Sequence, residues 1–164
     1  MLIKKIALLG AAAAALVSTG ANAATQTATA EVDIIAAVTL TQDQGLDFGV
    51  VASSAAAGTV TLPTGSNTRT CTAAVTCVGT ANRGQFTVSN AASGYVVGIT
   101  VPASTTLDDA GAGVAMNLTL TPSITSFTST GASQVFFVGG TLSVGASQAA
   151  GTYTGTYNVS ADYQ

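Results

Sequence analysis

The sequence contains no histidine and no tryptophan, and its only two lysines are Lys4 and Lys5. The absence of histidine removes the commonest general base, the commonest metal ligand and any Ser-His triad. Without lysine beyond residue 5, the rest of the chain cannot form a Schiff base. The neighbouring carboxylates Asp108 and Asp109 lie in a Gly/Ala-rich stretch and are interpreted as a solvated turn. The sequence therefore predicts a protein that is not an enzyme and that uses no cofactor and no metal.

Charge is also scarce, since charged residues make up only 7% of the sequence. Beyond the first 23 residues, Arg69 and Arg83 are the only cations against seven carboxylates. Such a chain lacks the basic surface that nucleic acid or an anionic membrane would require. Its surface must consist mainly of small polar residues, which is typical of secreted β proteins and unusual for cytosolic enzymes.

The first 23 residues have the three parts of a secretory signal peptide. Lys4 and Lys5 provide the positive start, Ile6 to Val17 form an apolar core, and Ala21-Asn22-Ala23 is a small-x-small cleavage site. The apolar core is too short to span a bilayer. We therefore expect export from the cytoplasm, with the mature chain starting near Ala24 and forming a single domain.

The sequence has only two cysteines, Cys71 and Cys77. An isolated pair in an exported protein is most simply a disulfide, and the spacing is not the Cys-x-x-Cys of a redox site. We predict that the bond closes a hairpin or a tight loop.

Directly after the predicted cleavage site, apolar and polar residues alternate from Thr27 to Thr41 with no turn residue between them. Side chains alternate between the two faces of a strand, so the even positions form one apolar stripe. The sequence predicts an unusually long strand here, suited to filling a groove in its own domain or in a neighbour. The stripe consists of Ala28, Ala30, Val32, Ile34, Ala36, Val38 and Leu40.

The rest of the chain reads as short β-strands separated by turns rich in Gly, Ser and Asn. No segment after residue 23 has a helical period with caps. About seven to nine strands in one domain of this length indicate a β-sandwich. The predicted strands are 46–52, 59–62, 85–89, 95–101, 114–121, 135–144 with a Gly139-Gly140 kink, and 153–163.

In the last predicted strand the odd positions from Tyr153 to Tyr163 are mostly apolar and the even positions are polar. The pattern indicates a strand with one buried face, and one of its edges is expected to lack a partner. An ordinary final strand and a functional edge fit this periodicity equally well.

Several of these features together resemble the pilins of bacterial chaperone–usher systems. The shared features are the penultimate Tyr163, Gly151 near the end, and an alternating segment after the signal peptide. The segment Gly45-Leu46-Asp47-Phe48-Gly49 resembles the LDFG segment of a pilin-like family of unknown function, as do Gly140-Thr141-Leu142 and the segment from Ala150 to Tyr157. The closely spaced cysteines depart from the best-known pilins, whose cysteines are tens of residues apart.

The resemblance implies an all-β, immunoglobulin-like sandwich that lacks its final strand. Residues 1–23 would be the signal peptide, 24–42 an N-terminal extension strand, and 43–164 the sandwich. The even-numbered stripe from Ala28 to Leu40 would be a donor strand that completes the sheet of another subunit. The groove edge that a chaperone holds would comprise Gly151, Tyr153, Tyr157, Val159, Ala161, Tyr163 and Gln164.

The function implied is a structural subunit of a surface fimbria assembled by donor-strand exchange. Its partners would be identical or related pilin subunits, a periplasmic chaperone and an outer-membrane usher, without nucleic acid and without direct membrane insertion. The protein would reach the cell surface through the periplasm. The alternative is a self-contained secreted β-sandwich, a surface-coat or binding module whose N-terminal run folds into its own sheet.

Overall fold

A computed structural model of the protein describes residues 23–111 and 113–164. The predicted signal peptide, apart from Ala23, lies outside these residues. The described chain is all-β, and none of it forms a helix that is long and apolar enough to cross a bilayer. Its strands are β1 (Thr39–Gln44), β2 (Val50–Ala52), β3 (Gly58–Leu62), β4 (Thr70–Cys71), β5 (Thr76–Val78), β6 (Gly84–Ser89), β7 (Val96–Thr100), β8 (Ser104–Asp109), β9 (Met116–Pro122), β10 (Ser126–Thr128), β11 (Gln134–Val144), β12 (Tyr153–Thr154) and β13 (Ser160–Tyr163).

The strands form two antiparallel sheets and a small ribbon. The main sheet has the order β1-β6-β11-β9-β8-β12, and β3 pairs with the second half of β11 and with β4. The second sheet has the order β10-β7-β13, and β2 pairs with β5 alone. The predicted all-β sandwich is confirmed.

The core lies between the inward faces of these sheets, as strand periodicity requires. Every second residue of β6 and β9 is buried, and the long strand β11 contributes Phe136, Val138, Leu142 and Val144. Val97 and Ile99 of β7 cover them from the second sheet. Phe86 of β6 stacks on Phe136 with 5.4 Å between the ring centroids. Alternating apolar residues therefore account for the interior.

The Gly139-Gly140 pair lies inside β11 without interrupting it. A Cβ atom at Gly139 would collide with the carbonyl of Leu62 on β3, and one at Gly140 with the carbonyl of Thr119 on β9. The prediction of a kink here is wrong. The glycines instead allow two neighbouring strands to approach β11 closely.

The long N-terminal strand predicted for 27–41 forms only from Thr39 onward. Residues 23–38 adopt no regular secondary structure, and those up to Ala37 are exposed. In β1, Leu40 pairs with Val88 of the same chain, so this strand crosses the predicted boundary between residues 42 and 43. The reason is physical: an alternating pattern becomes a strand only where a second strand supplies the hydrogen bonds.

The C-terminal strand predicted for 153–163 is divided between the two sheets. β12 pairs with β8 at one side of the main sheet, and β13 pairs with β7 in the second sheet. Residues 155–159 pass between them without regular pairing. The chain therefore changes sheets where the sequence pattern is uninterrupted.

Candidate functional site: a groove between two sheet edges

Two of the strands that have one unpaired edge, β1 and β13, lie near each other at the margin of the sandwich. β1 pairs only with β6, and β13 pairs only with β7, among the strands that the structure describes. β1 and β13 nevertheless approach each other. An unpaired strand edge presents backbone N–H and C=O groups that can bind another strand.

A groove of about 320 Å³ lies between β1 and the segment that leads into β13. We call it the edge groove. Leu40 and Gln42 of β1 form one wall, Phe86 of β6 lies within it, and residues 155–159 form the other wall. Its lining combines apolar side chains with polar ones, and no described strand occupies it.

Tyr157 forms part of the wall and has an unusual environment. Its ring contacts Phe86 edge-on, with the centroids 6.4 Å apart, and its hydroxyl lies over Gly84, where a Cβ atom would be 2.9 Å away. The hydroxyl oxygen is buried without a hydrogen-bond partner among the described atoms. Burial raises the pKa of Tyr157 above its ordinary value, because the ionised phenolate is poorly solvated there.

Tyr163, the last residue of β13, lies beside the segment that leads into β1. Its hydroxyl donates to the carbonyl of Ala36 (3.0 Å) and accepts from the N–H of Ala92 (2.7 Å). Its ring also contacts Tyr95 edge-on, with centroids 5.8 Å apart. This side chain therefore joins the last strand to the segment before β1 and to the loop between β6 and β7.

The register of β13 identifies which of its backbone groups are free. The N–H of Gln164 donates to the carbonyl of Val96 (3.1 Å), so Gln164 and Val96 are a hydrogen-bonded pair of the ladder. Asp162, two residues earlier, pairs with Gly98 in the same way. Hydrogen-bonded pairs alternate along an antiparallel ladder. The backbone groups of Ala161 and Tyr163 therefore point away from β7, toward the unpaired edge.

Five of the seven predicted groove-edge residues lie along this last segment. Tyr157, Val159, Ala161 and Tyr163 are half-buried and alternate with exposed residues, which confirms the predicted inward face, while Gln164 continues the pairing with β7. The structure separates the other two residues from this edge. Gly151 and Tyr153 lie beside Asp109 at the end of β8.

A second cavity, of about 450 Å³, lies on the other side of the same segment. Its lining residues are mainly hydroxyl- and amide-bearing, and Thr156, Tyr157 and Asn158 are shared with the edge groove. Thr105 of β8 donates to the carbonyl of Thr156 (2.8 Å) across it. This contact attaches the segment to the main sheet on the side away from β1.

The disulfide predicted between Cys71 and Cys77 is present. Cys71 belongs to β4, which pairs with β3, and Cys77 belongs to β5, which pairs with β2. The bond is therefore a covalent link between the main sheet and the β2–β5 ribbon. It lies outside the edge groove.

The LDFG segment forms the turn that leads from β1 into this ribbon. Asp47 exchanges two backbone hydrogen bonds with Asn82, and its carboxylate accepts from the N–H of Gly49 (2.7 Å). Phe48 is buried, and Gly49 has a φ of 67°. The Arg69 guanidinium donates to the carbonyl of Phe48 and to two carbonyls at the end of β5. The motif has a structural role here.

Residues 38–163 match the family that is described as a domain of unknown function (DUF4402). The chain belongs to this family. Its DUF4402 domain begins at Val38, directly before β1, and therefore includes both edges of the groove and the LDFG turn. No curated protein and no solved structure matches the chain.

Sequence reasoning did not identify β1 or Phe86 as parts of the groove. Leu40 was grouped with the N-terminal stripe, although it is half-buried on its own domain. No local signal distinguishes Leu40 from Ile34, since both are even-numbered apolar residues of one alternating run. Only the pairing with β6 separates them.

Proposed function

We propose that the protein is a structural subunit of a surface fibre assembled by donor-strand exchange. In this assembly, residues 28–36 of one copy occupy the edge groove of the next copy. One observation carries the proposal. An open groove lies between β1 and the segment that leads into β13, each of these strands has one edge that no described strand pairs, and an exposed, alternating segment directly precedes β1.

The proposed donor and acceptor have matching lengths. The groove wall at residues 155–159 and the strand β13 that follows it together span nine residues up to Tyr163, as does the segment from 28 to 36. At about 3.3 Å per residue, each would extend over roughly 30 Å as a strand. An inserted strand would also satisfy the outward backbone groups of Ala161 and Tyr163.

The structure narrows the set of donor side chains. Val38 and Leu40 pack against the core of their own domain, so the proposed donor stripe is reduced to Ala28, Ala30, Val32, Ile34 and Ala36. Val32 is 80% exposed and Ile34 is 91% exposed. Burial of these two side chains would contribute roughly 3–6 kcal/mol, so much of the remaining stabilisation must come from the backbone ladder.

Residues 28–36 are poorly placed to occupy the edge groove of their own chain. It continues directly into β1, so pairing with the edge of β1 would require a tight hairpin near Ile35 and Ala36. Such hairpins use Gly, Asn or Asp in conformations with positive φ, and the sequence has none of these residues at this point. Pairing with a second copy avoids the reversal.

Open edges flanking a partly apolar groove would also favour aggregation before assembly. We therefore infer that a periplasmic chaperone occupies the groove first and that an outer-membrane usher directs export and exchange. The related partners are further copies of the chain or similar subunits. The product would be a fibre on the cell surface.

The test compares two neighbouring isoleucines that would lie on opposite faces of the donor strand. Full-length chains carrying Ile34→Asp or Ile35→Asp would be expressed in a Gram-negative host, with a third chain lacking residues 24–35. We expect Ile34→Asp and the deletion to abolish the ladder of SDS-resistant oligomers, because an aspartate on the inward face would lose its hydration in a groove that has no cation to pair with it. We expect Ile35→Asp to assemble normally.

The deletion ends before Ala36, so that the hydrogen bond to Tyr163 and the whole of β1 are retained. Circular dichroism and size-exclusion chromatography would check that each variant is folded. Oligomers that persist after the deletion would refute strand donation and favour a self-contained sandwich. Equal effects of the two isoleucine substitutions would refute the assignment of the inward face.

A further inference from the structure

Four of the seven carboxylates of this chain lie on the proposed donor segment or on the strands that border the edge groove. Glu31 and Asp33 belong to the donor segment, Asp43 belongs to β1, and Asp162 belongs to β13. All four side chains are exposed. We call the contact between the donor segment of one copy and the edge groove of the next copy the joint. The joint would bring carboxylates of one copy close to carboxylates of another.

Side-chain alternation places these charges on the same outer surface of the joint. In the donor, Glu31 and Asp33 are odd-numbered, so they point away from the groove when the even-numbered stripe points into it. In β13, Asp162 lies between the half-buried Ala161 and Tyr163 and is exposed. An inserted donor therefore presents its carboxylates on the side of the joint where Asp162 lies.

The matching lengths of donor and acceptor determine how close these charges come. If residues 28–36 pair with residues 155–163 in the antiparallel direction, Glu31 is the diagonal neighbour of Asp162. In the parallel direction, Asp33 takes this position. Diagonal neighbours on adjacent strands are about 7–8 Å apart. In either direction, a donor carboxylate lies within about one Debye length of Asp162, since that length is about 8 Å at physiological ionic strength.

Neither arginine is placed to offset this repulsion. Arg69 and Arg83 are the only cations beyond residue 23. Arg69 donates to the carbonyl of Val78 beside the disulfide, and Arg83 donates to the carbonyl of Thr64. Neither arginine is among the residues that line the edge groove. The charges at the joint are therefore all negative.

Asp43 adds to the negative charge from the other wall of the groove. Its carboxylate accepts from the hydroxyl of Thr87 on β6 (2.6 Å), so it is directed away from the free edge of β1. Its distance from an inserted donor is therefore larger than that of Asp162. Asp162 is the main source of repulsion on the acceptor.

We propose that repulsion between the donor carboxylates, Glu31 and Asp33, and Asp162 of the acceptor makes assembly dependent on ionic strength. This inference rests on the proposed function, because it concerns the joint that strand donation would create. Like charges at the rim of an interface slow association and make its rate depend on salt. Dissolved ions screen such charges, so the joint would form slowly in dilute salt and faster as the ionic strength rises.

The experiment measures how fast SDS-resistant oligomers form at two ionic strengths. Assembled chains would be dissociated in denaturant and diluted into buffer at about 0.1 M or about 1 M salt, where the Debye length is about 10 Å or about 3 Å. A neutral-donor variant carries Glu31→Gln with Asp33→Asn. Circular dichroism would check that each chain is folded.

The matched control carries Asn117→Lys with Thr121→Lys, which changes the net charge of the chain by the same amount. Both residues are exposed outward positions of β9, which is three strands away from β1 in the main sheet. At about 4.8 Å per strand, this separation is about 14 Å, which exceeds the Debye length at the lower salt concentration. The control therefore separates the charge of the joint from the net charge.

We expect the wild-type rate to rise with ionic strength. At the lower salt concentration, the neutral-donor variant should assemble roughly twofold to fivefold faster than the wild type, since a like-charge neighbour on an adjacent strand has an effect of about this size. Its rate should also depend less on salt, and the control should keep the wild-type rate and salt dependence.

Two further variants test the pairing of the charges. Asp162→Asn should act like the neutral-donor variant, and combining the two should add little, because both remove the same repulsion. Ile35→Asp adds an outward carboxylate to the donor, so its ladder should form more slowly at the lower salt concentration and reach the same final extent. Full additivity of the donor and Asp162→Asn effects would contradict a direct repulsion between them.

Equal rates in the neutral-donor variant and the control would overturn the inference, since net charge alone would then set the rate. A wild-type rate that does not change with ionic strength would overturn it as well. The deletion of residues 24–35 separates these results from the proposed function. If that deletion abolishes oligomers while the rates are insensitive to salt, strand donation stands and only the charge dependence fails. Oligomers that persist after the deletion would refute both.

Discussion

The region around the edge groove and the region around the disulfide differ in how their backbone polar groups are hydrogen-bonded. We call them the groove side and the disulfide side. On the disulfide side, the carbonyls around Phe48 and the end of β5 accept hydrogen bonds from Arg69, and Cys71–Cys77 joins the ribbon to the main sheet. On the groove side, β1 and β13 keep edges that no described strand pairs, and the hydroxyl of Tyr157 is buried without a partner among the described atoms.

The difference follows from where the two arginines of the described chain lie. Arg69 donates to the carbonyl of Val78, and Arg83 donates to the carbonyl of Thr64, so both bind backbone carbonyls of their own chain. Arg83 also lies over the ring of Phe137, 3.6 Å from its centroid. Neither arginine lies at the edge groove. One side is therefore held by side-chain and covalent links, while the other keeps strand edges that no described strand pairs.

The largest effect on stability is expected from Gly49→Ala, which lies in the LDFG turn on the disulfide side. A Cβ atom there would collide with Arg69 and with the carbonyl of Thr80, in a residue with positive φ. We expect a loss of about 3–4 kcal/mol in the free energy of unfolding, measured by chemical denaturation. Gly79→Ala is the control, since its φ is also positive but no atom lies within 4 Å, and it should cost about 1 kcal/mol. Equal losses would show that the Arg69 contact is unimportant.

The second effect concerns the covalent link on the same side. Replacing Cys71 and Cys77 together by serine should lower the free energy of unfolding by about 2–3 kcal/mol, because the bond closes a short ring in the unfolded chain. The measurement is denaturant unfolding of the double variant and of the oxidised wild type. The folded variant should still form the oligomers that the donor strand is proposed to hold together, since the bond lies outside the groove. This outcome would show that the disulfide stabilises only its own side of the sandwich.

A smaller effect is expected on the groove side from Tyr163→Phe. This change removes the hydrogen bonds to Ala36 and Ala92 and leaves a partly buried N–H without its partner. We expect a loss of about 1–2 kcal/mol and faster proteolysis of the segment before β1. Unchanged stability and unchanged proteolysis would contradict the role given to Tyr163 in holding the segment before β1.

The smallest effect at neutral pH is expected from Tyr157→Phe, which removes a hydroxyl that no described residue hydrogen-bonds. Stability should change by less than about 0.5 kcal/mol. The variant should differ at alkaline pH. Because burial raises the pKa of Tyr157, the unfolded chain ionises first, so wild-type stability falls as the pH rises above about 10. Between about pH 8 and pH 11, the free energy of unfolding should fall less in the variant than in the wild type, as measured by denaturation. Equal losses in the two proteins would show that burial does not raise the pKa of Tyr157.

Local patterns in the sequence predicted several strands and their inward faces. Odd-numbered residues from Tyr157 to Tyr163 face inward, and the strands predicted at 85–89 and 135–144 are within one residue of β6 and β11. These predictions succeed because side-chain alternation is a property of each strand alone. The strands β4, β5 and β10 are only two or three residues long, and no local pattern predicts them. The six-residue strand β8 is also missed, because it consists mainly of polar residues. Asp108 and Asp109, interpreted from the sequence as a turn, pair with β12 at its end.

The sequence by itself determined the all-β class, the disulfide between two isolated cysteines, and the absence of histidine chemistry. Only the tertiary structure decided that Leu40 belongs to the sandwich while Ile34 remains exposed, and that the run from Tyr153 to Tyr163 is shared between two sheets. The physical reason is that the direction of a side chain follows from the local backbone. The partner of a strand edge, in contrast, is set by residues far away in the sequence.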